Sequence, residues 1–569
     1  MKQFTITFIL ITSLFCNAQK KYPQNYFRKP LNIPIILSGS FGELRSNHFH
    51  SGLDIKTQGK EGLSIYSSAD GYVSRIVVKQ YGFGKAIYIT HPNGYTTVYG
   101  HLSKFNKEIE AYVKSIQYKK ENYTTGNLYF KEDKFPVNKG DVIAFSGDTG
   151  GSGGPHLHYE IRSTKNETNR IFNPLLFGLK VEDTTQPAIQ SLKVYALDHN
   201  SRINKQKKSF IIPLKKNKEG TFLAERITAN GNIGFAVNVF DRFNKAPNKN
   251  GIYSLEMLVN GKRTYYHDVE TFTFSESKFI NLHIDYEHYK TYRKKYQKTH
   301  KVAANKLSTY NDLVNDGRIN VKKGLNYYVE IIARDFAGNA SRIKISVSGK
   351  ENNSIFDAQK DTTAYKILAN KFNKFTQNDV TIAFPKNTFY KDVYLDFKVK
   401  NGIAKIHKPI IPLDKKFTLT FNVSKYTEKE KKQLYIANVE NKKYPRYQLT
   451  TKKDSTFYTT TKTLGKYSLL SDNKKPTIKI LYFKDKQDIS KLKTLKVKID
   501  DIGSGIKNFR ATIDGEWILM EYNHKKKILT YNFSDKKLVG NKHIFNLVVS
   551  DNVGNTKEVT TTFFKKEIN

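Results

Sequence analysis

The stretch AIYITHPNGYTTVYGHL, residues 86–102, constrains the fold more than any other part of the chain. β-Branched and aromatic residues alternate on either side of a Pro-Asn-Gly turn, the pattern of two antiparallel strands joined by a hairpin. Segments of the same kind, such as YKDVYLDFKVKN and KKFTLTFNVSKY, recur further on, and little before about residue 270 reads as strongly helical. The expected fold class is therefore mainly β.

Such a chain must be held by packed cores alone. Its first nineteen residues, MKQFTITFILITSLFCNAQ, carry one lysine, an apolar run from Phe4 to Phe15 and a Cys-Asn-Ala triplet, which together predict a secretory signal peptide over 1–18, cleaved near Ala18. The apolar run falls short of the roughly 20 residues a membrane span needs, so no transmembrane span is expected in the mature chain. A lipid anchor on Cys16 would favour Gly, Ala or Ser before it, where this chain has Phe15. Cys16 is the only cysteine, so cleavage leaves an exported protein with no disulfide.

The balance of 95 Lys+Arg against 52 Asp+Glu gives a net charge of +43, which suits anionic surfaces. Lysines are spread along the whole chain without a basic arm or nucleic-acid motif, and export further argues against nucleic acid as a partner.

A length of 569 residues suggests three or four domains, and 37 Phe with 36 Tyr supply the apolar surface for their cores. An internal repeat marks two of them. NGIYSLEMLVNGKR and SGIKNFRATIDGEW align, with Gly251-Ile252 standing to Asn260-Gly261 as Gly505-Ile506 stands to Asp514-Gly515. Each copy ends in a strand and an Asp-x-x-Gly-Asn turn, Asp335 to Asn339 and Asp551 to Asn555. Both read as Ig-like β-sandwiches, at 183–350 and 473–569. The first copy is longer, and its surplus coincides with DYEHYKTYRKKYQKTHKVAANKLSTYNDLVN, a polar stretch free of Gly and Pro that predicts a helical insertion at about 270–315. His283, Glu287 and His288 lack the His-Glu-x-x-His order and read as a solvated helix surface. Between the copies, 351–472 is a third β unit with no catalytic constellation.

Chemistry concentrates before residue 182. HFHSGLD offers His50 and Asp54, with Gly52 letting the backbone bend between them. GPHLHYEIR reads as a strand, so His156 and His158 share a face while Leu157 turns into the core; one can bind metal and the other reach a substrate. VYGHLSKF places His101 at the end of the hairpin strand. A zinc site needs three or four such ligands, and imidazoles left over can move protons or stabilise an oxyanion. His48 reads as a groove-edge or surface residue and His91 as part of the hairpin turn.

His-x-x-x-Asp at His50–Asp54, Tyr-Gly-His-Leu at Tyr99–Leu102 and Gly-Pro-His-Leu-His at Gly154–His158 resemble the lysostaphin-type, LytM-like zinc metallopeptidases, over roughly residues 36–177. The resemblance implies an antiparallel β peptidase core with a substrate groove, here within 19–182. It further implies that His50, Asp54 and His158 hold Zn2+, that His101 and His156 are catalytic, and that peptide bonds in peptidoglycan peptide stems are hydrolysed. The chain departs from the family in reading Ser-Gly-Gly before Pro155 and in its long 104–139 connection, which is expected to form a groove wall or lid.

Three readings follow. The first is an exported zinc endopeptidase of the periplasm or cell envelope, whose C-terminal β domains meet the envelope or a protein partner in it. The second is a catalytically silent module that binds the wall or regulates another hydrolase; such relatives usually lack a metal ligand, and all five positions are present here. The third is a protease acting on proteins in the medium. On the first reading, residues 19–182 are expected to fold and act by themselves.

Overall fold

A computed structural model describes residues 21–164, 169–351 and 362–566. The predicted leader and Cys16 lie outside these residues. The molecule is mainly β, as the alternation predicts, and its sheets are antiparallel apart from three parallel pairings in the two sandwiches.

The N-terminal sheet runs Leu37–Gly39, Leu53–Lys56, His156–Ser163, Tyr95–Leu102, Lys85–Thr90, Gly71–Val78 and Gly126–Tyr129, in that spatial order. The hairpin read from the sequence is the pair Lys85–Thr90 and Tyr95–Leu102. His156–Ser163 is central, with His158 opposite Asp54 on one side and Gly100 on the other. Leu53, Ile55, Leu157, Tyr159 and Ile161 are fully buried beneath it, so the strand's period of two sends its histidines to the other face.

The 104–139 connection contains a helix, Lys107–Lys119, that the sequence reading did not anticipate. Asn106 caps it by accepting from the Ile109 amide at 3.0 Å, and Ile109, Val113 and Gln117 form a buried stripe four residues apart. The helix is packed against the core.

The insertion also differs in detail from its expectation. Its helical parts are short, Ile280–His283 and Tyr286–Tyr292, and strands make up other parts of it, Thr271–Thr273, Gln297–Lys298 and Tyr310–Leu313. His283 is not a solvated surface residue: it is fully buried, with Nδ1 3.0 Å from the Tyr310 hydroxyl, whereas Glu287 is exposed.

The core of 19–182 is shared with residues that follow it. Arg170–Phe172 pairs with His156–Ser163 on one side and with Thr271–Thr273 on the other, so the N-terminal sheet continues into the insertion. Val269, Phe272 and Ile280 join the N-terminal core, and so does Leu519 from the last sandwich. That sandwich returns to the N-terminal domain: Trp517 lies edge-on to Tyr118 at 5.2 Å, Lys85 pairs with Glu521 at 2.7 Å, and Lys525 pairs with Asp148 at 2.9 Å.

Candidate metal centre

One atom each from His50, Asp54 and His158 converge, all mutually within 4.8 Å. Asp54 Oδ1 lies 3.0 Å from His50 Nε2 and 2.9 Å from His158 Nδ1, and those two nitrogens are 3.2 Å apart. All three residues are buried, His158 to 3% exposure.

Local structure explains the convergence. Asp54 and His158 face each other across adjacent strands, and His50 lies four residues before Asp54 in the loop that enters its strand. Gly52 is needed for closeness rather than for bending: a Cβ there would sit 2.4 Å from the Tyr159 carbonyl. Its backbone has no positive φ.

The nitrogen of each imidazole turned away from the cluster is anchored. His50 Nδ1 is 2.8 Å from the Ser40 carbonyl, which can only accept, so Nδ1 carries the proton and Nε2 presents a lone pair inward. His158 is held the other way round, with Nε2 2.8 Å from Glu160 Oε1. Glu160 is fully buried and also accepts from Ser51 Oγ and Arg162 Nε, each at 2.5 Å. Arg45 Nη2 meets the other Asp54 oxygen at 2.9 Å. Anchored outer atoms of this kind orient metal ligands and raise their basicity. Two imidazole nitrogens and one carboxylate oxygen, each aimed inward, fit a zinc site with an open fourth position.

His101 and His156 stand beside the cluster, their ring centroids 4.8 Å apart. His101, in a left-handed conformation with φ 61°, places Nδ1 2.8 Å from the Thr149 carbonyl. His156 places Nδ1 2.8 Å from the Gly154 carbonyl, and its Nε2 is 3.5 Å from Asp54 Oδ1. His101 therefore carries its proton on Nδ1 and keeps Nε2 as an acceptor, whereas His156 Nε2 faces the Asp54 carboxylate.

Burial, with His158 and His156 nearby, pushes His101 down to about 3, so it is neutral at pH 7. Burial opposes charge on His158 too, but Asp54 and Glu160 outweigh it and hold it up to about 9. Glu160, against its own burial, is held down to about 2 by Arg162 and His158. Asp54 is likewise held well below the usual carboxylate range by its histidines.

All five sequence-predicted residues thus fall in one place. His48 is exposed, and His91 is buried between the Asp70 carbonyl and Thr97 Oγ1, each 2.8 Å away. Glu160 was missed, although its signal was present: His156, His158, Glu160 and Arg162 occupy every second position of one strand.

Residues 48–118 match the sequence family described as Peptidase family M23, and residues 364–472 match the Zu5-like domain. A DD-carboxypeptidase/endopeptidase of Neisseria meningitidis is 32% identical over 143 residues, covering 25% of this chain and 26% of the relative. An uncharacterized metalloprotease of Haemophilus influenzae is 34% identical over 130 residues, covering 23% of this chain and 21% of the relative. The chain thus spans about a quarter of the curated relatives it matches. Among solved structures, the catalytic domain of lysostaphin from Staphylococcus simulans aligns at 22% identity and a TM-score of 0.18, covering 24% of this chain and 87% of that one. Three of the five residues of the cluster and its surroundings, His50, Asp54 and His101, lie in the stretch that is similar to peptidase family M23.

Proposed function

We propose that this chain is an exported zinc-dependent endopeptidase that hydrolyses peptide cross-links of peptidoglycan in the periplasm or cell envelope. His50, Asp54 and His158 would hold the zinc, which supplies Lewis acidity and makes water a nucleophile near neutral pH. His101 and His156 are the catalytic pair. Each has Nδ1 tied to a carbonyl and Nε2 on the side of the cluster, so Nε2 is the atom through which each can take a proton from the attacking water and return one to the leaving amine. Once protonated, either ring can stabilise the developing oxyanion.

The observation that carries the reading is this pair of anchored imidazoles beside a three-ligand cluster. An acceptor nitrogen at neutral pH is what a general base requires, and the low position of His101 supplies it. The names of the relatives, a DD-carboxypeptidase/endopeptidase and a metalloprotease, support the substrate class. No helix among the described residues is long and apolar enough to cross a membrane. The C-terminal β domains would meet an envelope surface or protein partner, while nucleic acid is not a partner on this reading.

The test is digestion of purified peptidoglycan by the full mature chain, with and without a zinc chelator. Cleavage at stem-peptide bonds that stops on chelation and returns with zinc is expected. Binding to the sacculi without cleavage would favour the silent-module reading, and cleavage of soluble proteins alone would favour a general protease.

A further inference from the structure

The two Asp-x-x-Gly-Asn turns that mark the internal repeat each hold an aspartate that meets two others in space. In the first sandwich these are Asp183, Asp241 and Asp335, with one oxygen of each within 4.8 Å of the others. In the last they are Asp472, Asp501 and Asp551, equally close.

The turn aspartates are met alike, Asp335 accepting from the Asn339 amide and Nδ2 as Asp551 does from Asn555, and the two triads differ at their other members. In the last sandwich Asp501 accepts from the Gly503 and Gly505 amides at 3.1 and 2.7 Å. Asp551 accepts from the amides of Val553, Gly554 and Asn555, and Asp472 from that of Ser504. In the first sandwich Asp241 is only 1% exposed, yet neither of its carboxylate oxygens has a hydrogen-bond partner. Asp183 Oδ2 is also buried without one. The Asn250 backbone pairs with that of Asp241 at 2.8 and 3.0 Å, and Asn250 Oδ1 is buried and unpartnered as well. No lysine or arginine among the described residues forms an ion pair with Asp183, Asp241 or Asp335.

We propose that Asp183, Asp241 and Asp335 bind one calcium ion at the junction between the peptidase domain and the first sandwich. A buried carboxylate with no donor is costly unless a cation meets it. The donors are all oxygens, which selects a hard cation over zinc. Calcium accepts six to eight oxygens in irregular geometry, whereas magnesium demands an octahedron and dehydrates reluctantly, a poor match for a site as dry as Asp241. Asp183 lies where the chain leaves the peptidase domain, and Asp241 and Asp335 follow the strands Ile227–Phe240 and Asn326–Arg334. The ion would tie these three segments together. The last triad has no carboxylate oxygen buried without a partner.

Zinc-loaded full mature chain is titrated with CaCl2 by calorimetry and followed by thermal unfolding. One calcium per chain is expected, with a rise in Tm of about 5–10 °C at a hundredfold excess over Kd. Asp241→Asn should abolish uptake and the rise while keeping its zinc and a calcium-free Tm no lower than wild type, because a repelling charge is gone. Asp183→Asn, on the half-exposed linker, should weaken uptake at least tenfold even if Asp241→Asn fails to fold, and Asp501→Asn should leave it unchanged. The proposal is overturned if wild type takes up no calcium at millimolar concentration. It is equally overturned if Asp241→Asn or Asp183→Asn binds as wild type does, or if uptake is lost in Asp501→Asn.

Discussion

Two parts of this molecule bury clusters of histidine, and only one of them looks like a metal centre. In the peptidase domain, His50 and His158 converge on Asp54, with His101 and His156 at their side. In the first sandwich His267 and His283 lie with ring centroids 4.7 Å apart, as close as those of His101 and His156 at 4.8 Å. Their hydrogen-bonding partners are neutral: Tyr310 and Gln297 for His283, Tyr265 for His267. The consequence for charge is opposite. Burial, with His283 beside it, pushes His267 well down, and burial, with the Lys298 charge nearby, pushes His283 down to about 4, whereas the carboxylates of Asp54 and Glu160 hold His158 up to about 9. Burying imidazoles together therefore makes a core; adding a carboxylate at their point of convergence and an acceptor behind each makes a site for a cation.

The largest test of this contrast removes a ligand. His158→Ala should lose stoichiometric zinc and all measurable hydrolysis together, as read by metal analysis and peptidoglycan digestion. Full zinc retention in that variant would dissolve the distinction between the two clusters.

A smaller effect is expected from the neighbours of the cluster. His101→Ala and His156→Ala should keep zinc and lose about 10²- to 10⁴-fold in kcat. Unchanged turnover in either would remove that residue from the mechanism.

The smallest effect lies in the other cluster. His283→Gln should leave zinc content and turnover as they are and change only the acid stability. The sign follows from the depressed position of His283: its contribution is present above the unfolded value of 6.5 and is lost as pH falls through about 4. The loss amounts to on the order of 3 kcal/mol. Chemical denaturation of wild type between pH 7 and pH 4 should show this acid limb, and the variant should flatten it. An equal limb in both proteins would show that His283 is not the group responsible.

Much of this was legible in the sequence because strands have a short memory. A period of two places His156 and His158 on one face without reference to the rest of the chain, and the hairpin register brings His101 to the same end. Glu160 obeys the same period and was readable on the same grounds, but a carboxylate on a β face has many uses, and only its 2.8 Å contact with His158 assigns it one. The helix at Lys107–Lys119 was missed because its buried stripe is thin, three residues of which one is Gln117. The insertion misled in the other direction: its lack of Gly and Pro permits a helix, yet Thr271–Thr273 finds an open strand edge at Arg170–Phe172, and tertiary pairing overrides local preference. The aspartate triads were visible only as turn markers, since Asp183, Asp241 and Asp335 are brought together by the sandwich itself.

Ser40 has two clients. Its carbonyl seats His50 Nδ1 at 2.8 Å, and its hydroxyl accepts the Gly251 amide at 3.0 Å, in the first sandwich. Gly251 admits no larger residue there, because a Cβ would stand 2.8 Å from the Glu43 Cα. The border between the two domains thus passes through a single serine that serves chemistry on one side and architecture on the other. Modularity in this chain stops at that residue: a graft that exchanges the sandwich for another also replaces part of the bench on which His50 is mounted.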